Sequence, residues 1–157
     1  MHLVAAIWRD MRQAAGFTLI EILIVVGLVA VMAAVTVPTV AGAMDRYYIN
    51  SAGQQVASTI RTARFQAVAR NIRTQVNFDS PAVGQYQTEI WDGMSWDALG
   101  EVQRLSTGIT FGDGIADVTL EPSGRAPACP CTIVVTDGTE ENDQTIIISS
   151  SGRVQLQ

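Results

Sequence analysis

The sequence predicts an α+β fold in which one long N-terminal helix, first apolar and then amphipathic, packs on an antiparallel β-sheet. Three observations predict it. An apolar run extends from Phe17 to Pro38. Apolar residues then recur with helical spacing to about residue 72. From Thr74 the pattern alternates with the period of two that is typical of strands. A helix followed only by strands favours a helix lying across an antiparallel sheet.

The apolar run is long enough to cross a membrane. Between Gln13 and Met44 the only ionisable side chain is Glu21, and a helix that spans a hydrocarbon core of about 30 Å needs about 20 apolar residues. A cleaved secretory signal would carry small residues after a shorter apolar region, whereas Gly16 precedes this run. The run therefore predicts a transmembrane helix.

The charges around this run predict its orientation. Arg9 and Arg12 precede it, and positively charged flanks remain on the cytoplasmic side. We therefore divide the chain into a leader over residues 1–16, a single transmembrane helix over residues 17–44, and a head across the membrane over residues 45–157. At 157 residues the chain has room for one such globular domain.

The stretch Gly16-Phe17-Thr18-Leu19-Ile20-Glu21 resembles the processing site of type IV prepilins and pseudopilins. The resemblance implies that a prepilin peptidase cleaves after Gly16 and N-methylates Phe17. It also places the assembly glutamate of the family at Glu21 and its helix-loosening proline at Pro38. The leader is long for this family, and a start at Met11 would give a more usual one, so we expect translation to begin there.

The carboxylate of Glu21 is energetically unfavourable in a membrane helix. A carboxylate costs about 2.5–3.5 kcal/mol at the bilayer centre and less near the interface, and such residues usually have a partner. The resemblance implies that this partner is the α-amine of Phe17 in a neighbouring subunit. The alternative is that Glu21 snorkels to the membrane surface or is protonated.

Beyond the membrane the helix carries two apolar stripes. We expect one stripe to contact the sheet of the same subunit and the other a neighbouring subunit; the alternative is that both lie in one core. The first comprises Val56, Ile60, Ala63 and Ala67, and the second Phe65, Val68 and Ile72. Gly27 and Pro38 are the positions where we expect a kink or loosening.

Arginines concentrate in the same helical segment. The group comprises Arg61, Arg64, Arg70 and Arg73. We expect these side chains to be solvated or paired with acids of the head rather than to bind phosphate.

Short alternating segments predict the strands of the head. Asp92-Gly93 predicts a type I′ hairpin turn that returns Trp96 onto Trp91 or Ile90. The predicted strands are residues 74–78, 86–91, 103–105, 109–111, 118–120, 132–135, 145–148 and 154–156.

The head has a second family resemblance. The segments Leu120-Glu121-Pro122-Ser123-Gly124-Arg125 and Ser151-Gly152-Arg153-Val154, with Ala63–Asn71 at the helix end, resemble the H-type pseudopilins of type II secretion and the FimT/FimU minor pilins. This implies a non-enzymatic subunit in the tip or initiation complex of a pilus or pseudopilus. Its implied partners are other pilin or pseudopilin subunits, the prepilin peptidase and the inner-membrane assembly platform, with the head in the periplasm.

Two other functions stay open at this point. Some FimT-like pilins bind DNA through a C-terminal Gly-Arg-x-Arg motif, of which Gly152-Arg153-Val154-Gln155 keeps the first arginine. Arg125 and Arg153 are therefore the candidate DNA-binding residues, although the net charge of −5 gives no general basic footprint. The other function is that of a major pilin.

Cys129 and Cys131 are the only cysteines, and in an oxidising compartment they favour a structural disulfide over free thiols or a redox pair. No metal, other cofactor or catalytic residue is predicted, because the sole histidine, His2, lies in the leader. The acidic residues of the head could hold Ca²⁺ but lack EF-hand spacing, so a solvated loop is favoured. They are Asp113, Asp117, Asp137, Glu140, Glu141 and Asp143.

Overall fold

The computed structural model of the chain describes residues 16–139 and 142–157. Within these described residues the chain forms one long helix, α1 (Leu19–Arg70), followed by nine strands. The strands are β1 (Thr74–Phe78), β2 (Gln85–Trp91), β3 (Trp96–Ala98), β4 (Gln103–Arg104), β5 (Thr110–Phe111), β6 (Val118–Leu120), β7 (Cys131–Thr136), β8 (Gln144–Ile148) and β9 (Val154–Leu156). The chain divides into two compact units, with the boundary between Gly42 and Ala43.

Helix α1 has a defined cap at each end. At the start, the Glu21 N–H donates to Thr18 Oγ1 at 3.3 Å, as in the capping box formed by Thr-x-x-Glu. At the other end Asn71 has φ of 54°, the left-handed conformation that closes many helices. The Ile72 N–H then reaches the Ala67 carbonyl at 3.2 Å, and the Asn71 N–H reaches the Val68 carbonyl at 3.4 Å. This Schellman motif ends the helix two residues before the expected end at residue 72.

The first unit holds the apolar part of α1. Residues Leu19–Thr36 have a mean hydropathy of 2.7, and none of them is buried within the chain. By length and composition, this segment could cross a membrane. The helix is uninterrupted through Gly27 and Pro38, where the sequence predicted a kink or loosening.

In the described part of the second unit there are two antiparallel sheets, where the sequence predicted one. Sheet A has the order β3-β2-β1-β6, with β4 also paired to β2. Sheet B has the order β5-β7-β8-β9. The period of two predicts strands but carries no information about which strands pair, so the division into two sheets lay beyond the sequence pattern.

One face of α1 and both sheets share a hydrophobic core. Val56 and Ile60 on the helix are fully buried, as are Val76 in sheet A and Ile146 in sheet B. The aromatic rings of Phe78 and Tyr86 from sheet A meet Phe111 from sheet B, with ring centroids 5.1 and 5.8 Å from that of Phe111. The hydroxyl of Thr74 donates to the Ala63 carbonyl at 3.0 Å. These contacts hold the end of the helix on the sheets.

The hairpin between β2 and β3 confirms one prediction and corrects another. Trp96 pairs with Trp91 in register, and their ring centroids lie 5.3 Å apart. The turn, however, has four residues, and of its members only Gly93 has positive φ, so it is not type I′. The Asp92 side chain closes it by accepting from the Met94 and Ser95 N–H groups at 2.6 Å each. The backbone N–H groups of Ser95 and Met94 also lower the pKa of Asp92.

Candidate assembly site and surface of the head

The predicted processing and assembly residues lie at the exposed start of α1. Gly16 and Phe17 precede the helix, and Phe17 is 77% exposed. Glu21 lies in the first turn, where an acid interacts favourably with the helix dipole. Within the described residues no hydrogen bond or ion pair is found for its carboxylate. Pro38 lies within α1, and residues 1–15 lie outside the described residues.

The two apolar stripes of the helix have different environments. The stripe from Val56 to Ala67 is buried in the core. On the second stripe, Phe65 and Val68 are 68% and 52% exposed, whereas Ile72 is half-buried. The alternative that both stripes lie in one core is therefore wrong for Phe65 and Val68. With Arg61 and Arg64 these two side chains line an open groove of about 300 Å³.

Two of the helix arginines bind backbone carbonyls of the head. Arg64 Nε donates to the Gly124 carbonyl at 2.8 Å, and its Nη2 donates to the Ser151 carbonyl at 3.4 Å. Arg61 donates to the Val154 carbonyl at 3.3 Å. The sequence predicted that these arginines would be solvated or paired with acids, and it did not predict hydrogen bonds to backbone carbonyls. Arg70 and Arg73 are exposed.

Arg64 joins two turns that share the sequence Ser-Gly-Arg. Gly124 and Gly152, at their centres, have φ of 76° and 75°. Each glycine N–H donates a hydrogen bond of 2.8 Å to the carbonyl oxygen three residues earlier. The acceptor is Glu121 in one turn and Ser149 in the other. The turns touch, because a Cβ on Gly152 would lie 2.1 Å from the Gly124 carbonyl oxygen. The repeated tripeptide was visible in the sequence, but its pairing was not predicted.

The candidate DNA-binding residues each follow one of these turns. Arg125 and Arg153 are both exposed. Because the turns are in contact, the backbones of these two arginines emerge from neighbouring parts of the surface, although they are 28 residues apart in sequence.

A disulfide links Cys129, which is buried, to Cys131 at the start of β7, and their Cα atoms lie 4.5 Å apart. It therefore closes a very short loop just before β7.

The acidic residues of the head are dispersed. Asp117 accepts from the Phe78 N–H at 3.1 Å and from Gln75 Nε2 at 2.9 Å. Asp137 accepts from the hydroxyl and the N–H of Thr139, which lower its pKa. Within the described residues no group of three or more His, Cys, Asp or Glu side chains could hold a metal ion. Glu140 and Glu141 lie outside the described residues.

A polar groove that the sequence did not predict lies where α1 faces sheet A. It encloses about 470 Å³ and is lined mainly by uncharged polar side chains, among them Gln55, Thr59 and Gln103. Thr59 Oγ1 donates to Gln103 Oε1 at 2.8 Å. Tyr86 lies on the adjoining strand, and burial raises the pKa of its hydroxyl, opposed by the Thr59 side chain. These contacts fix the helix against β2 and β4.

Comparisons with known protein families and structures agree with this architecture. Residues 11–37 match the prokaryotic N-terminal methylation motif. Residues 52–152, which form most of the head, match the family described as type II transport protein GspH. The chain belongs to the GspH family. The family resemblance read from the sequence is thus confirmed.

Two solved structures share the fold of this GspH family member. One is the type IV minor pilin FimU of Pseudomonas aeruginosa, with 17% identity, a TM-score of 0.60, and coverage of 72% of this chain and 90% of FimU. The other is the minor pseudopilin EpsH from the type 2 secretion system of Vibrio cholerae, with 13% identity, a TM-score of 0.57, and coverage of 69% of this chain and 95% of EpsH. No curated protein sequence matches the chain significantly. The predicted α+β pilin-like fold is confirmed.

Proposed function

We propose that this GspH family member is a structural minor subunit, a minor pilin or pseudopilin, in the tip or initiation complex of a type IV pilus or type II secretion pseudopilus. A prepilin peptidase cleaves it after Gly16 and methylates Phe17. It is held in the inner membrane by α1, with its N-terminus in the cytoplasm and its head in the periplasm. Its partners are other pilin or pseudopilin subunits and the assembly platform.

The observation that carries this proposal is the start of α1. A methylation motif, an apolar segment with no buried residue and a single carboxylate come together within residues 11–37. An apolar surface of this extent needs lipid or other helices to cover it. The family match over the head and the fold shared with FimU and EpsH support a role as a minor subunit.

Glu21 gives the anchor a function beyond membrane insertion. After cleavage at Gly16 the new α-amine is on Phe17, within one helical turn of Glu21 in sequence. In a neighbouring subunit that amine would neutralise the carboxylate where packed helices exclude water. Breaking one half of a buried ion pair costs about 3–5 kcal/mol. Removal of the carboxylate would therefore weaken assembly, whereas the peptidase acts before assembly.

The test compares Glu21→Gln and Glu21→Val with the unchanged chain. Both variants should be cleaved after Gly16, as read by the mass of the membrane-extracted protein, and should be depleted at least tenfold from sheared filaments. Val25→Ala is the matched control, because Val25 is an exposed apolar residue one turn further along α1. Normal recovery of either Glu21 variant in filaments would contradict the pairing.

The two filament systems are distinguished by their assembly platforms. Deletion of the type IV pilus platform and of the type II secretion platform, one at a time, should abolish incorporation of this subunit in one case only. A subunit present at major-pilin stoichiometry in the recovered filament would contradict the minor role.

The paired turns favour a second function, DNA binding in uptake. They bring the backbones at Arg125 and Arg153 close together, and exposed arginines bind phosphates through charge-assisted hydrogen bonds. Retention of the full chain on double-stranded DNA should then weaken as salt rises. Replacing both arginines by Gln should reduce the salt slope by about 2. Arg104→Gln, an exposed arginine on β4, is the control, and equal slopes for all variants would contradict this function.

A further inference from the structure

The face of sheet A that points away from the helix has an ordered polar surface. Side chains alternate across a strand, and Tyr86 on β2 and Val76 on β1 point into the core. The outward residues of β1 and β2 therefore include Gln75 opposite Glu89 and Asn77 opposite Gln87.

Glu89 organises the centre of this face. It is only 8% exposed although it points away from the core. Its Oε1 accepts from Gln87 Nε2 at 2.7 Å and from Asn77 Nδ2 at 3.3 Å. In a neighbouring row, Gln75 Nε2 donates to Asp117 Oδ2 at 2.9 Å. These hydrogen bonds orient the amide groups, and each amide nitrogen keeps a second N–H donor.

Two indole rings continue the row. Trp91 follows Glu89 by two positions on β2, so its side chain points to the same face, and Trp96 lies directly opposite it on β3. Both rings are half-buried, and their planes are inclined at 58°. From Gln87 to Trp91 the row extends about 13 Å at the usual rise of a strand. It therefore combines fixed amides with aromatic rings along one line.

We propose that this face, defined by Gln75, Asn77, Gln87, Glu89, Trp91 and Trp96, binds an uncharged glycan chain that carries N-acetyl groups. Indole rings pack against the apolar C–H faces of sugar rings while their N–H groups stay available for hydrogen bonds. An acetamido group has one N–H donor and one carbonyl acceptor. Glu89 accepts the first, and the fixed amide N–H groups donate to the second.

The charge of the face fits an uncharged ligand. Its carboxylates, Glu89 and Asp117, are bound by amides, and the outward positions at its edges include Arg73 and Arg104. The outward rows also continue to Asp79 and Glu121, but the centre of the face consists of neutral amides and indoles around a carboxylate that already accepts two amide hydrogen bonds. Neutral amides that both donate and accept match a ligand that does the same.

The test measures binding of chitohexaose to the full chain in lipid nanodiscs, which avoids detergents with sugar headgroups. Calorimetry should show saturable binding below about 10 mM. Trp96→Ala and Gln87→Ala should each weaken binding at least fivefold. Gln155→Ala is the matched control, an exposed glutamine on β9 in the other sheet, and should bind as the unchanged chain does. Maltohexaose, which has no N-acetyl group, should bind at least tenfold more weakly.

Each opposite outcome overturns the proposal. No saturable heat up to that concentration excludes the glycan site, and equal binding of maltohexaose excludes the N-acetyl assignment. If the Trp96→Ala variant shows no near-ultraviolet circular dichroism, it is not folded, and the binding of Gln87→Ala is then the deciding measurement. The Gln87 side chain lies outside the core, so this substitution should not unfold the head. If the variants lose other filament subunits while chitohexaose does not bind, the face is a protein interface instead.

Discussion

The two halves of α1 show how the same apolar residue types serve different partners. Over Leu19–Thr36 the helix is apolar on every side, and none of its residues is buried within the chain. Over residues 49–67 it carries one buried stripe, in which Val56, Ile60 and Ala67 have no exposed surface. The head half therefore finds its partners within the chain, whereas the anchor half needs lipid or other subunits. A helix that is apolar on every side indicates that lipid or other helices surround it. An amphipathic helix indicates that one face packs on the rest of its own domain.

The sharpest test of this comparison is truncation on the two faces of the head half. Ile60→Ala should lower the free energy of unfolding by about 2–5 kcal/mol, because it leaves a cavity in the core. Phe65→Ala should change it by no more than about 0.5 kcal/mol, because Phe65 is 68% exposed. Urea unfolding followed by near-ultraviolet circular dichroism measures both.

The anchor half supplies the control for this pair. Val26 is 60% exposed in α1, so Val26→Ala should leave the unfolding midpoint of the head unchanged. If Phe65→Ala cost as much as Ile60→Ala, the distinction between a buried and an exposed stripe would be wrong.

The next effect tests the paired turns that Arg64 holds against the helix. Gly152→Ala should cost about 3 kcal/mol, because it adds the strain of a positive φ and places a Cβ against the Gly124 carbonyl. Gly138→Ala is the matched control: it has φ of 85° but open space around it, so only the strain of about 1 kcal/mol remains. Thermal unfolding of the two variants gives the difference. Equal losses would show that the contact between the turns contributes nothing.

Local patterns in the sequence predicted most of the fold. The buried stripe was visible because Val56, Ile60 and Ala63 follow the helical period, and most strands were visible because their outward residues are polar. The sequence pattern does not predict the strand β3 (Trp96–Ala98), because only Trp96 in it carries a strand signal. The end of α1 was placed too late because Ile72 continues an apolar stripe, while the left-handed conformation of Asn71 stops the helix.

The candidate sites were predictable only in part. Gly16, Phe17 and Glu21 lie within one short sequence motif, so the sequence alone predicts a role in processing and assembly for them. That role stays a prediction. Arg64 was expected to be solvated or paired with an acid of the head, but it binds the carbonyls of Gly124 and Ser151, which lie 60 and 87 residues away. Contacts between residues so far apart in sequence depend on how the two sheets pack together, and the strand period does not predict that packing.

A smaller effect is expected from separating the two units. A head that begins at Asp45 should be soluble and folded, because the boundary of the second unit lies at Ala43 and its buried helix residues begin at Ile49. Its circular dichroism should show both helix and strand, and it should unfold cooperatively. A head that begins at Ala57 is the contrasting variant, since it lacks Ile49 and Val56 and should not fold. An unfolded Asp45 fragment would show that the anchor half contributes to the stability of the head.

The smallest effect concerns the disulfide between Cys129 and Cys131. A cross-link stabilises mainly by restricting the unfolded chain, and the restriction grows with the length of the closed loop. Here one residue separates the two cysteines, so little unfolded-state entropy is removed. The double variant Cys129→Ser and Cys131→Ser should therefore lower the free energy of unfolding by about 1 kcal/mol or less. Cys129 is 4% exposed, so Cys129→Ala with Cys131→Ser controls for burying a hydroxyl. Thiol titration of the unfolded, unreduced protein should find no free thiol. If both double variants melted many degrees lower, the bridge would hold the segment before β7 in place, and its effect would lie in the folded state.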